Sequence, residues 1–238
     1  MAKTKTTEET KTVATKDPMA NAPSYVKQED QQVPQADSAM PFPTLKLLQQ
    51  LSPELDEDDT KYLPNAQAGD IIITDGVNVK IIDGDIGISF SPLLVRKVWT
   101  EWIPRKQGGG FVAVYNSKEE CEAAFTIGNE IVISIDYLIV STDVADGNIL
   151  SPVLLQFNTP TKMGVARELQ KYIAQYKTMY GVTYQLKKKK QANRAGQKFF
   201  NFQISPVGWT EKVLYTQIEA LKTEKETIFL PLMDESAF

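Results

Sequence analysis

The 238-residue chain has a net charge of −4, and hydrophobic residues make up 42% of it, enough to build the core of one large domain or two small ones. It contains one cysteine and no histidine, which excludes an internal disulfide and removes the usual ligands of zinc sites and the usual general base of enzymes. It has neither a stretch of about 18 apolar residues nor a secretory signal pattern, so we expect a cytoplasmic protein with no membrane partner. Because histidine is absent, we also expect no catalytic activity, no cofactor and no metal site.

The first 40 residues are polar, and Tyr25 is their only aromatic residue. A segment of this composition buries too little apolar surface to offset the entropy that it would lose on ordering. We therefore predict a disordered N-terminal tail over residues 1–40, a single β-rich domain over residues 41–230, and a short acidic C-terminal tail over residues 231–238.

From residue 70 onward the sequence has the pattern of short strands separated by turns. Apolar and β-branched runs occur at residues 71–74, 77–82, 88–103, 111–115, 130–142 and 149–157, and a short helix is predicted over 117–125. This pattern predicts a mainly β fold of the α+β kind, an antiparallel OB-like barrel or sandwich with one or two helices.

The long strand at residues 88–103 and the loop after it mix cations with aromatic rings. The residues concerned are Arg96, Lys97, Trp99, Trp102 and Arg105. Cations attract phosphates and rings stack on bases, so this segment is a candidate nucleic-acid surface. The alternative is a structural one, because tryptophans in strands commonly belong to a core.

Positive charge is concentrated in residues 161–212, where 11 Lys and Arg residues against 2 Asp and Glu residues give a net charge of +9. The preceding residues 41–160 hold 8 basic against 17 acidic residues. Such a segment creates a local potential that attracts polyanions, even though the whole molecule is acidic. The alternative is a solvated face, or a patch that the acidic region neutralises.

Within this basic segment a helix is predicted over residues 160–180, followed by a hairpin of two strands over residues 182–204. We place the tip of the hairpin at residues 187–196. Its charge comes from Lys187, Lys188, Lys189, Lys190, Arg194 and Lys198. Phe199 is the ring that we expect to be exposed, because Phe200 continues an apolar face into Phe202 and Ile204, which we assign to the core. Cations that follow phosphates and rings that stack on bases are what single-strand binding requires.

The chain ends in a short acidic segment that contains Asp234, Glu235 and Phe238. At these positions it resembles bacterial and phage single-stranded DNA-binding proteins, which combine an OB-fold core with an acidic tail ending in an aromatic residue. The resemblance implies a role in DNA replication and recombination, in the host cytoplasm if a phage encodes the chain. It also implies that the tail recruits replication proteins and competes with DNA for the basic groove.

We therefore expect binding of single-stranded DNA with little sequence preference, by a protein that can be a homo-oligomer. Two alternatives stay open. One is a phage structural or assembly protein whose basic patch docks on an acidic partner. The other is a Mg²⁺-dependent DNA-processing enzyme such as a nuclease, which needs clustered carboxylates. The basic segment offers only Glu168 and Glu211 for such a cluster.

Overall fold

The computed structural model describes residues 22–26, 42–75, 77–142 and 152–229. In these residues one sheet is formed by β1 (Thr44–Leu47), β2 (Ile71–Thr74), β3 (Val79–Ile82), β4 (Ile88–Ile103), β5 (Gly110–Tyr115), β6 (Glu130–Ser141), β7 (Val153–Phe157), β8 (Val182–Ala192) and β9 (Lys198–Trp209). The helices are α1 (Lys118–Ala124), α2 (Pro160–Tyr176) and α3 (Lys212–Phe229), with 3-10 turns at Pro53–Leu55 and Arg105–Gln107. The mainly β, α+β prediction is confirmed, with three helices in place of one or two.

The strands lie in the order β3-β2-β1-β7-β6-β4-β8-β9, β5 pairs with β4, and the sheet curls into a half-barrel. Every pair is antiparallel except β1 and β7, which run parallel with Thr44 opposite Leu154. The prediction of a wholly antiparallel sheet is therefore wrong at this pair. Parallel neighbours require a long crossover connection, and residues 48–152 supply it.

Helices cover both faces of the sheet at its centre. Val95, Tyr137 and Leu155 belong to a core cluster that includes Val165 and Leu169 of α2. Their immediate chain neighbours, Leu94, Leu138 and Leu154, pack with Tyr215, Ile218 and Phe229 of α3. Successive residues of a strand point to opposite faces, so α2 and α3 lie on opposite sides of the sheet. No helix in the described ranges is long and apolar enough to cross a membrane.

Residues 22–26 of the predicted N-terminal tail pack against the α3 side of the domain. The Tyr25 hydroxyl donates a hydrogen bond to the Thr210 carbonyl oxygen at 2.8 Å, and the Tyr25 ring meets the Tyr215 ring edge to face at 5.6 Å. The tail prediction did not anticipate this anchor, because a single aromatic residue gives no periodic signal. The remaining residues of the predicted tail, apart from 22–26, lie outside the described part of the chain.

Candidate nucleic-acid interface

Strands β8 and β9 form the predicted hairpin, but its turn is shorter than expected. Pairing continues to Ala192 opposite Lys198, so Lys187 to Lys190 are strand residues, not tip residues. Asn193 builds the turn, because its Oδ1 accepts hydrogen bonds from the backbone N–H groups of Ala195 and Gln197, both at 3.0 Å. The predicted tip at 187–196 is therefore corrected to the residues between Ala192 and Lys198. Three of the four lysines, Lys187, Lys189 and Lys190, are exposed in this strand conformation.

Lys188 is held within the chain, unlike its neighbours. Its Nζ lies 2.9 Å from Oδ2 of Asp85 and 5.9 Å from the centroid of the Phe200 ring. The hydrogen bond to Asp85 raises the pKa of Lys188 above its ordinary value. At Gly84 an added Cβ would lie 2.9 Å from Cδ of Lys188 and 1.9 Å from the Gly69 carbonyl oxygen. The Lys188 side chain can therefore pack here because Gly84 has no side chain. Lys188 is thus a structural cation.

The other predicted hairpin cations are exposed. They are Lys187, Lys189, Lys190, Arg194 and Lys198. Residues alternate between the two faces of a strand, so Lys187 and Lys189 project on one face and Lys190 on the other. The hairpin therefore carries positive charge on both faces and around its turn.

The aromatic and aliphatic residues of β9 up to Ile204 divide between core and surface. Phe202 and Ile204 are buried in the main core cluster, as predicted. Phe200 is half-buried, and its backbone is fixed by Gln49, whose Nε2 donates to the Phe200 carbonyl at 3.0 Å and whose Oε1 accepts from the Phe200 N–H at 3.0 Å. Phe199 is also half-buried and opens onto a groove.

This hairpin groove is an open depression of about 1010 Å³. Residues 49–51 after β1, Thr161 of α2, and the hairpin residues 191–194 and 197–199 line it. Arg194 and Lys198 supply two cations, and none of these described lining residues is an acid. The groove therefore combines an aromatic ring, amide side chains and positive charge.

A smaller recess of about 220 Å³ adjoins the groove and shares Thr161 and Gln191 with it. Lys189 and Glu168 both line the recess. The Glu168 carboxylate offsets the lysine there and repels phosphate. Of the two depressions, the hairpin groove is thus the better site for a polyanion.

Arg96, the first residue of the second predicted surface, lies in the interior. It is 5% exposed, its Nε lies 3.3 Å from Oδ2 of Asp136, and its guanidinium carbon lies 4.7 Å from the centroid of the Phe229 ring. A buried ion pair of this kind is part of the packing under α3. The prediction that Arg96 belongs to an accessible surface is therefore corrected.

Trp99 belongs to the core, as the structural alternative predicted, since it is 8% exposed and packs with Tyr115 and Cys121. Lys97 is exposed, with its Nζ 4.6 Å from the centroid of the Trp99 ring. Trp102 is 40% exposed, and the side chain of Arg105 lies outside the described part of the structure. We call the extension made by residues 97–133 the arm.

The arm and the hairpin lie at opposite ends of the sheet. Strands β4 and β8 pair only where Ile88 lies opposite Leu186 and Phe90 opposite Tyr184. Because the two strands are antiparallel, β4 leads from this point toward Lys97 while β8 leads the other way toward Lys187. Nine residues of strand separate Ile88 from Lys97, a distance of about 30 Å. The structure does not bring the two predicted surfaces together.

Two groove residues, Gln49 and Leu51, were not identified from the sequence. They lie in a polar and proline-containing loop, where nothing in the pattern marks a binding residue. The tail residues Asp234, Glu235 and Phe238 lie outside the described residues. Within the described ranges, no three Cys, Asp or Glu side chains converge on a possible metal position.

Comparison with known proteins identifies a phage protein family. A family model, described as Pam3 phage gp34-like protein, matches residues 10–226. The match includes the arm, α2 and the hairpin, and it ends before the C-terminal tail. No curated protein and no solved structure matches the chain.

Proposed function

The chain belongs to the Pam3 phage gp34-like protein family, and from its basic hairpin we propose that it binds single-stranded DNA with little sequence preference. The observation that carries the proposal is the set of five exposed cations on the hairpin, two of which, Arg194 and Lys198, line the groove that also contains Phe199. Phosphates bind the cations, and a base stacks on the ring. The OB-like topology and a role in replication and recombination stay predictions.

Single strands suit the groove better than a duplex does. In a duplex the faces of the bases are stacked on each other, and a protein reaches only the backbone and the base edges. In a single strand the faces are available to a half-buried ring such as Phe199. The charge alone favours any polyanion, so the ring is what favours a single strand.

In this proposal the protein is a passive binder without catalytic activity or cofactor. Replication proteins bind the tail residues Asp234, Glu235 and Phe238, and DNA competes with the tail for the hairpin. The cations of the arm do not bind the phosphates that the hairpin binds, since the arm lies at the other end of the sheet. A homo-oligomer is compatible with this arrangement, because the hairpin turn is exposed.

The test is a fluorescence anisotropy titration of labelled oligo-dT at low salt. The double variant Arg194→Glu/Lys198→Glu is compared with Lys97→Glu/Lys106→Glu, which makes the same change of charge on exposed cations of the arm. We expect the hairpin variant to bind about 100-fold more weakly, from roughly 1.4 kcal/mol for each charge-assisted contact. The arm variant is expected to bind like the wild type.

Absence of binding by the wild type contradicts the proposal. Equal losses in both double variants place the contact elsewhere or make it nonspecific. Equal affinity for duplex and single strand removes the role of the ring. An acidic protein partner that binds the hairpin in place of DNA is the outcome that the phage assembly alternative predicts.

A further inference from the structure

Leu51 is a large aliphatic side chain that is 97% exposed at the hairpin groove. The loop that carries it is fixed at both sides. Ser52 accepts a hydrogen bond from the Gln49 N–H at its Oγ, at 2.8 Å, and donates its own N–H to the Gln49 carbonyl oxygen at 3.0 Å. Gln49 is in turn bonded to the backbone of Phe200. The exposure of Leu51 is therefore a feature of a held loop.

The polar side chains of the groove are arranged to donate hydrogen bonds. Oε1 of Gln191 already accepts from Nδ2 of Asn201 at 3.4 Å, and Oε1 of Gln197 accepts from Nδ2 of Asn193 at 2.7 Å. Gln191 and Gln197 can donate to a ligand through their NH₂ groups, and each amide oxygen keeps one further lone pair. Each base has two apolar faces and carries acceptor atoms on its edge.

The groove therefore holds the three kinds of group that an extended nucleotide needs. Leu51 and Phe199 are apolar surfaces, Gln191 and Gln197 supply donors, and Arg194 and Lys198 supply positive charge. A site for phosphates alone needs only the charge. An exposed aliphatic side chain and an aromatic ring that line the same groove offer two apolar surfaces to the faces of bases.

We propose that the hairpin groove is a base-binding site, in which bases of the single strand pack between Leu51 and Phe199 while the phosphates lie on Arg194 and Lys198. This inference rests on the proposed function and adds two points to it. Bases do not only stack on Phe199 but lie inside the groove, with the phosphates of the strand at its rim. The inference also assigns a binding role to the loop after β1, and in particular to Leu51.

The experiment compares two oligomers of equal length, oligo-dT and a sugar–phosphate chain without bases, by anisotropy at fixed salt. We expect the wild type to bind oligo-dT at least about tenfold more tightly. Leu51→Ser is expected to weaken oligo-dT binding about fivefold and to leave binding of the base-free chain unchanged. The matched control is Ile127→Ser, a change of another aliphatic side chain that is 92% exposed but lies in the arm.

A second readout uses Phe199→Trp, with the fluorescence of the wild type as background. We expect oligo-dT to quench the added tryptophan and the base-free chain to leave it unquenched. Equal binding of the two oligomers by the wild type overturns the inference and the role of the Phe199 ring, and it leaves the binding of DNA through the hairpin cations standing. Equal behaviour of Leu51→Ser and Ile127→Ser removes Leu51 from the site. If neither oligomer binds, the proposed function and the inference fail together.

Discussion

Glu101 keeps a negative charge in a position without solvent exposure. Its Oε2 accepts from the Tyr115 hydroxyl at 2.5 Å, and its Oε1 accepts from Nδ2 of Asn129 at 2.5 Å and from the Thr126 N–H at 2.9 Å. These hydrogen bonds, that from Tyr115 first, lower the pKa of Glu101 to about 2, and the same bond raises the pKa of Tyr115 to about 12. One carboxylate thus ties β4 to β5 and to the loop after α1.

This network predicts a specific dependence of stability on pH. The pKa of Glu101 is about 2 in the folded state and near 4.5 when unperturbed, so its contribution is full above pH 4.5 and is lost as the pH falls toward 2. Glu101→Gln removes the charge, and we expect a lower Tm at pH 7 together with a flatter decline of Tm below pH 4.5. Thermal denaturation followed by circular dichroism measures both.

The control for this variant is Glu130→Gln, a change at an exposed carboxylate of the same arm. It is expected to leave the pH profile of the wild type intact. Parallel Tm profiles for the wild type and Glu101→Gln between pH 5 and pH 2 contradict the role given to the carboxylate.

For single residues, burial that follows from the alternation of strand faces could be predicted from the sequence. Ion pairs between residues on distant segments could not. The spacing of Phe202 and Ile204 placed them in the core because strand faces alternate. The pairing of Lys188 with Asp85 was invisible, since these residues meet only when the loop before β4 reaches β8. Arg96 was taken for a surface cation for the same reason, because its partner Asp136 is on another strand.

Strand β9 is an edge of the sheet, and Gln49 covers part of that edge. With one side-chain oxygen and one side-chain nitrogen, Gln49 satisfies both backbone groups of Phe200, as a residue of a neighbouring strand would. Unpaired edge groups favour association with other chains. The contact also links the loop after β1 to the hairpin, so it sets the shape of the groove.

Gln49→Ala is expected to remove both hydrogen bonds. We expect a loss of about 1–2 kcal/mol in the free energy of unfolding, because the freed backbone groups regain water. Hydrogen exchange of the segment 198–203, measured by mass spectrometry, is expected to become faster. Gln50→Ala, at the exposed next residue, is the matched control. Equal exchange in the two variants contradicts the conclusion that Gln49 covers the edge of β9.

Strand positions were predicted better than the turn and the pairing. The strand at 88–103 has the predicted bounds, since a long β-branched and aromatic run leaves little ambiguity. The start of the tip was predicted at Lys187, several residues before the turn begins. Asn193 and Gly196, whose φ is +78°, are the residue types that favour a turn and mark its true position. The parallel pairing of β1 with β7 depends on the path of the whole chain, and local patterns contain no information about it.

On the scale of the whole molecule, binding at one end of the sheet limits how strongly affinity depends on salt. Each phosphate neutralised on a single strand contributes about −0.7 to the slope of log K against log salt, so the five exposed hairpin cations set a limit of about −3.5. Arg194→Glu/Lys198→Glu is expected to reduce the slope to about −2. Lys97→Glu/Lys106→Glu is expected to leave it unchanged.

Anisotropy titrations over a series of salt concentrations give these slopes directly. A much steeper slope for the wild type, or a reduced slope in the arm variant, shows that DNA also contacts the arm. The segregation of charge along the chain was visible in the sequence. That the cations of residues 97–106 and those of the hairpin lie at opposite ends follows from the register of β4 with β8, which only the fold supplies.

The parallel pairing of Thr44 with Leu154 has a consequence for synthesis of the chain on the ribosome. The partner of β1 is made about 110 residues later, which takes roughly 5–20 s at the usual rate of translation. Of the two strands that pair with β1 in the folded structure, only β2 is made within that interval, so we expect the other edge of β1 to stay unpaired until β7 is made. The strand made first therefore completes its place in the sheet late, so we expect the nascent chain to be most prone to aggregation before residue 157 emerges.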